Sequence, residues 1–335
     1  MSRETLTHLN TQTLIGYTDK RGHAWHYRAD HQGAEPNHYA GAIPTDDVLR
    51  RLFHWAPVEA PLAATILEDA GVRTITDPTR KVIIRPDTQT ILGVFKTGYQ
   101  IHAYDQWLID NVATILDADL AIASAGLLRG GALAWVQVEM ADTLSVEGVD
   151  YRPFLTAATS LDGSLATTYQ TGAQVVVCDN TLSVALTTAS ATVKVRHSRH
   201  SLNQITTVRD ALGIIHTAAD QFAHQVRDLT AETVTDARYQ RFLTAYTTPA
   251  EARPSKRAVT NADTKAEQLW RLWATELRVS PWRGTAYGVL AAVNTYTHHH
   301  QPIRGADRAT RNTERAVLGD IDQLDRHTLD TLATV

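Results

Sequence analysis

Residues 120–140 read LAIASAGLLRGGALAWVQVEM. Two apolar arms of strand length flank Arg129-Gly130-Gly131, and glycine is the residue that a tight chain reversal tolerates best. In the second arm Ala134, Val136, Val138 and Met140 alternate with Leu133, Trp135, Gln137 and Glu139. That period of two gives a pleated strand two distinct faces. The stretch is therefore a hairpin, and a short turn joins only antiparallel strands. The same device recurs on both sides of it. KVIIRPDTQTILGVF (81–95) sets two β-rich runs around a Pro-Asp turn, and YRPFLTAATSLDGSLATTYQT (151–171) turns at Leu161-Asp162-Gly163-Ser164. AQVVVCD (173–179) and TVKVR (192–196) read as further strands, with NTLSVALTTAS (180–190) as a short helix between them. Leu108, Val112, Ile115 and Leu116 fall on one face of a helix that separates the first two hairpins. The fold class is α+β, a mostly antiparallel sheet built from hairpins with packed helices.

Upstream, residues 1–78 read as a loosely structured lead-in with short helices. One opens at Pro44-Thr45-Asp46-Asp47 and a second covers 60–70. Downstream of residue 200 the period changes. Ile205, Val208, Leu212, Ile215, Ala219, Phe222, Val226 and Leu229 are spaced alternately three and four apart. This predicts one continuous helix over 202–229 with an apolar seam. The seam packs either inside the chain or against a second copy, as a homo-oligomer. A polar linker is expected over 248–264, then helices from Lys265, from Gly284 to His300, and over 314–332. The chain divides on this reading into a lead-in (1–78), an α+β core (79–200) and a helical C-terminal third (201–335).

Composition narrows the classes of function. With 335 residues, 43% hydrophobic and 20% charged, the chain has the material for a packed core. A net charge of −4 supplies no global basic field, so any affinity for nucleic acid must be local. The single cysteine, Cys178, excludes a disulfide framework and a cysteine zinc site within one chain. It closes an apolar strand, which suits a buried thiol. His298, His299 and His300 are consecutive, so on a helix they point apart and read as solvated side chains at its end, not as metal ligands. No HExxH, Walker A, GxSxG or GxGxxG pattern occurs, and no cofactor is expected. The start of the chain has no apolar signal core and no stretch reaches the roughly 20 apolar residues of a membrane span. A cytoplasmic protein without membrane contact is the expectation.

One segment stands out chemically. Residues 180–209, NTLSVALTTASATVKVRHSRHSLNQITTVR, contain no Asp or Glu but hold Lys194, Arg196, Arg199 and Arg209, with His197 and His200 among them. Lys194 and Arg196 alternate with Val193 and Val195, so both leave one face of a strand. Long cations with short polar groups beside a helix start make a phosphate track. The bland counterpart is an ordinary solvated face. A second basic run carries Arg304, Arg308 and Arg311. A catalytic grouping of Cys178, Asn180, Arg196 and His197 is a competing use of the same stretch.

Five motifs occur in one order: LGVFKTGYQIHAYDQWL (92–108), SAGLLRGGALAWVQVEM (124–140), VVVCDNTLSVAL (175–186), VKVRHS (193–198) and GTAYGVLAAVNTYTHHH (284–300). Together they resemble the phage/plasmid-like protein family, a domain of unknown function (number 932) carried by bacteriophages and conjugative plasmids. The resemblance spans roughly residues 20–320 and falls on Gly93, Lys96, Tyr99, Gly126, Arg129, Gly130, Gly131, Trp135, Cys178, Asn180, Thr181, Arg196, His197, Gly284, Thr285, Asn294 and His298. Ala24-Trp25-His26 is similar to a further N-terminal motif. His102-Ala103 departs from the Gln-Asn pair usual in the family. The resemblance implies a mobile-element protein with no established reaction. It favours a nucleic-acid-binding accessory role, with single-stranded DNA annealed or protected during recombination. DNA is then the partner, and Lys96, Tyr99, Arg129, Lys194, Arg196, His197, Arg199 and Arg209 form the contact set, with Tyr99, Tyr169 or Trp135 offering stacking faces. An enzyme acting on nucleic acid or nucleotide, and a host-takeover or anti-defence protein that binds a host partner, are the alternatives.

Overall fold

The computed structural model describes residues 3–24, 26–69, 71–117, 119–140, 142–175, 181–182, 192–198, 215–249, 255–303, 308–318 and 320–335. Contacts divide the chain into two compact units, and not along the three regions expected above. The first comprises Met1–Ala141, Phe154–Thr171 and Ser190–Ile215; the second comprises Asp142–Pro153, Gly172–Ala189 and His216–Val335.

In the first unit the chain begins with α1 (Arg3–Thr11), β1 (Thr13–Ile15), α2 (Thr18–Arg21) and α3 (Thr45–Arg51). Then come β2 (Val58–Glu68), β3 (Gly71–Arg85) and β4 (Thr90–Lys96), an antiparallel three-stranded sheet in that order. A π-helical turn (Asp105–Asp110) and a 3-10 turn (Ala113–Ile115) lead into β5 (Leu120–Leu128) and β6 (Leu133–Met140). These two pair as expected from Leu120 opposite Met140 to Leu128 opposite Leu133. Gly126 faces Trp135, and a Cβ there would lie 2.1 Å from the indole, so only glycine fits under the ring. β7 is Leu144–Val146 and β8 is Val149–Ser160. β9 (Thr167–Val175), β10 (Thr181–Leu182) and β11 (Thr192–Val195) follow. The larger sheet of this unit runs β1-β5-β6-β8-β9, with β11 antiparallel on β9.

The N-terminal segment is a structured part of this unit, not a loose lead-in. Thr13 pairs with Gly126 across β1 and β5, and Ile43 N–H donates to the Ile122 carbonyl. The helix expected over 60–70 is instead strand β2, paired with β3 along its whole length. Long-range pairing overrides the helical propensity of its alanines and leucines. Of the apolar face read from the spacing, Leu108 and Val112 are buried and Ile115 and Leu116 are half-buried against the core, with Trp107 and Ile109 buried beside them, although the turns here are π and 3-10.

The second unit is mostly helical. It holds α4 (Ile215–Ala231), α5 (Asp236–Thr247), α6 (Lys256–Thr275), α7 (Ala286–Thr295) with a π turn at Tyr296–His300, α8 (Arg308–Leu318) and α9 (Asp320–Ala333). β7 pairs with the first residues of β8, and β10 with the last of β9. Ala219, Phe222, Val226 and Leu229 of the predicted seam are buried, and the last three join one core with Tyr151, Tyr239, Trp273 and Leu290. This part of the seam packs within the chain and is not open to a second copy; residues 202–214 of the predicted helix lie outside the described residues. The expected linker over 248–264 is overrun by α6. Ser255 caps that helix by accepting from the Ala258 N–H at 3.2 Å. Among the described residues no helix is long and apolar enough to cross a membrane.

Candidate functional site

The motifs read at 92–108, 124–140 and 193–198 meet at one end of the larger sheet in the first unit. Their meeting point is a column of five rings. Phe95 stacks on Tyr99 at 3.9 Å between centroids, Tyr99 on His197 at 5.0 Å, His197 on His102 at 3.8 Å, and His102 on Trp107 at 3.8 Å. Successive planes differ by no more than 18°. The outer rings belong to the apolar core or pack against it, which fixes the column.

His197 is held from both edges. Its Nδ1 lies 3.1 Å from the Gln100 carbonyl, and a carbonyl only accepts, so Nδ1 carries the proton and donates. Its Nε2 then accepts from the Thr159 hydroxyl at 3.1 Å. Thr159 and Thr167 are themselves 2.8 Å apart, and His102 Nδ1 lies 2.5 Å from Thr167 Oγ1. Burial lowers the His197 pKa to about 4, and burial together with His197 lowers that of His102 to about 3. Both rings are neutral at neutral pH. His197 therefore acts as an internal wedge and offers no charge to a phosphate. Tyr99 has a ring on each face, and its hydroxyl donates to the Ser160 carbonyl at 3.3 Å. Burial pushes that hydroxyl well above the ordinary tyrosine value. No face of Tyr99 is left for a base. Trp135 and Tyr169, the other stacking candidates, are buried.

Arg129 is also built into the frame. It occupies the left-handed region at φ 53°, and its Nη1 donates to Asp162 Oδ2 at 3.1 Å and Ser164 Oγ at 2.8 Å. The turn at 129–131 is thus latched to the turn at 161–164. Burial raises the Asp162 pKa, but hydrogen bonds from the Ser164 side chain and backbone and from Arg129 outweigh it, and the net shift is downward. On the other side of the first turn, Arg85 grips Asp87 with two hydrogen bonds of 2.8 and 2.9 Å, reaches the Gly130 carbonyl, and lies 4.5 Å from the centre of the Trp55 ring. A Cβ on Gly131 would sit 2.5 Å from Arg85 Nη1, so this approach requires glycine.

The cations on the surface are a smaller set. Lys194 and Arg196 are both exposed, while Val195 between them is 1% exposed. The alternation read from the sequence holds because Val195 faces the core opposite Thr167 of β9. Lys96, at the end of β4, is exposed too. Arg129 is exposed as well, but its guanidinium is engaged by Asp162 and Ser164, while Tyr99 and His197 are half-buried in the ring column. Arg199 and Arg209 lie outside the described residues, as do Cys178 and Asn180. In the second basic run Arg304 is likewise outside, and Arg308 donates to the His298 carbonyl at 3.3 Å. Sequence reasoning missed Phe95, His102, Thr159 and Thr167. Only His102 left a signal, as the departure from the Gln-Asn pair.

The motif at 284–300 serves the second unit. Thr285 caps α7 by accepting from the Gly288 N–H at 3.1 Å, and a Cβ on Gly288 would meet the Trp282 carbonyl at 2.2 Å. Asn294 donates to Asp325 Oδ1 at 2.9 Å. His298 is buried, contrary to its reading as a solvated side chain, and burial takes its pKa to about 4. Among the described residues no group of three His, Cys, Asp or Glu side chains could hold a metal ion.

A family model described as a domain of unknown function (DUF932) matches residues 91–318, which takes in the ring column, both glycine turns and α7. No curated protein and no solved structure matches the chain.

Proposed function

The chain belongs to the DUF932 family, and from that premise we propose that it is a nucleic-acid-binding accessory protein of a mobile element, acting on single-stranded DNA in the host cytoplasm. Phosphates are contacted by Lys194, Arg196 and Lys96. The observation that carries this reading is the exposure of Lys194 in β11 and of Arg196 directly after its end, with Val195 locked into the core between them. Cations at i and i+2 of a strand stand about 7 Å apart along the chain. The ring column packs on His197 at the strand end, so little backbone freedom remains to be lost on binding, and the cost is confined to ordering the exposed Lys and Arg side chains. The phage and plasmid carriage implied by the resemblance suits such a role. Proton transfer at His197 finds no support, since both ring nitrogens are engaged.

The test is a salt titration of binding to labelled single-stranded and duplex DNA. Each phosphate contact removed from the single-strand complex flattens the slope of log K against log salt by about 0.7. Lys194→Ala and Arg196→Ala, alone and together, are expected to weaken binding across all sequences and to lower the slope stepwise, with the unfolding midpoint unchanged. A wild-type protein without salt-sensitive binding at low ionic strength would end the reading.

A further inference from the structure

We propose that the outer edge of β3 between Gly71 and Asp77 is a self-association surface. Its occupant is the same edge of a second copy, in an antiparallel pairing centred on Ile75. The inference does not rest on the nucleic-acid reading. β2 pairs with β3 all the way to the hairpin tip, where Glu68 faces Gly71, but β4 joins β3 only from Arg80 onward. The Thr79 carbonyl still accepts from the Thr97 N–H, but from Gly71 to Asp77 the hairpin is two-stranded, and among the described residues nothing pairs with the other side of β3 there. Such an arm is marginal alone and presents a row of unpaired main-chain N–H and C=O groups.

The arm is also apolar where water meets it. Leu67 is 81% exposed, Val72 68% and Ile75 50%. Six of the eight large hydrophobic residues exposed among the described ones belong to the β2-β3-β4 sheet, which makes this the outstanding apolar surface of the first unit. Nucleic acid is a poor occupant. Glu59, Glu68, Asp69 and Asp77 outnumber Arg73, Arg80 and Lys81, and Glu68 and Glu59 already pair with Arg73 and Lys81.

A second copy fits the charge pattern. About a two-fold axis at Ile75, antiparallel pairing brings Arg73 opposite the partner's Asp77, Thr74 opposite its Thr76, and Ile75 opposite itself. That ion pair forms twice, once on each side of the axis. Moving the axis by one residue sets Arg73 against an uncharged partner and loses both. Arg73, Ile75 and Asp77 share a face with Ile66, Ala64 and Leu62, their partners on β2. The joined four-stranded sheet therefore extends one apolar stripe across the dyad. Charges that would discourage pairing with an arbitrary strand become the specificity of this one.

The test is sedimentation of the full chain over a concentration series, with two charge variants. The wild type is expected to dimerise. R73D and D77R each set like charges opposite one another at both ends of the ladder, and each is expected to weaken dimerisation at least about tenfold. Mixing the two variants in equal amounts restores both ion pairs, one in the native polarity and one reversed, so the mixture is expected to dimerise while neither variant does alone. That rescue separates a broken interface from a misfolded arm. A wild type that stays monomeric, variants that dimerise like the wild type, or a mixture that fails to recover would each overturn the proposal. So would variants that remain unchanged in association but lose binding to DNA.

Discussion

Hairpin β5–β6 and hairpin β2–β3 share a backbone plan, and Leu127 in the first is 1% exposed while Leu67 in the second is 81% exposed. Both arms are apolar-rich, so hydrophobicity alone does not separate them. Position in the sheet does. β5 lies between β1 and β6, and β6 lies between β5 and β8, so both have strands on each side and a core above. The outer half of β2–β3 has only itself. A leucine is worth burial energy where neighbours remove it from water, and the same residue on the arm contributes nothing until something covers it.

Leu127→Ala and Leu67→Ala, compared by chemical denaturation at low protein concentration, make the largest contrast. The first is expected to cost about 2–5 kcal/mol and the second to stay within about 0.5 kcal/mol. Equal costs would mean that the arm is packed in the isolated chain and that the comparison is wrong. Next in size, Gly126→Ala forces a methyl into the Trp135 ring and is expected to cost about 1–3 kcal/mol. Pairing it with Trp135→Leu should recover part of that loss, and a lack of coupling between the two would show that the ring does not select the glycine.

The sheet end also carries a histidine-based pH dependence that the arm lacks, since residues 58–85 contain no histidine. His102 and His197 are held neutral by burial, with pKa values lowered to about 3 and about 4 from the usual 6.5. The unfolded chain takes up these protons below pH 6.5 and the folded chain does not. Their stabilisation is thus complete above that pH and is lost as pH falls toward 4 and then 3, at up to about 1.4 kcal/mol per pH unit for each ring. His38 and His298, also lowered to about 4, add to the same trend. His197→Gln is expected to flatten the fall in unfolding free energy between pH 6.5 and 4. An unchanged slope would show that His197 does not contribute to it.

Which parts of this structure were legible beforehand follows from how local their causes are. The turns at 129–131 and 161–164 declare themselves through glycine and aspartate, and the exposure of Lys194 and Arg196 follows from strand alternation alone. The arm was illegible because Leu62, Ala63, Ala64 and Glu68 favour a helix, and only pairing with Gly71–Asp77 makes them a strand. Ser255 was an available cap signal, outweighed by the polar composition around it. The role of His197 had no local cause at all. Its neighbours Tyr99, His102, Thr159 and Thr167 come from two distant stretches of the chain, 99–102 and 159–167, and a histidine beside an arginine in an acid-free run reads as a surface cation until those neighbours are known.

The smallest effect is the most useful control. Arg73→Ala removes an exposed ion pair with Glu68, 2.9 Å long, at the outer end of the strand whose inner end carries the buried Arg85. Exposed pairs of this kind contribute about 0–1 kcal/mol, because solvent screens the attraction and two long side chains must be ordered to hold it. The unfolding midpoint of Arg73→Ala is therefore expected to match that of the wild type within about 0.5 kcal/mol when measured at a concentration where the chain is monomeric. A loss larger than that would mean that the Glu68 pair organises the arm itself. The weakened association expected of R73D would then have a source other than the charge facing it across the dyad. A match leaves the interface as the place where Arg73 acts.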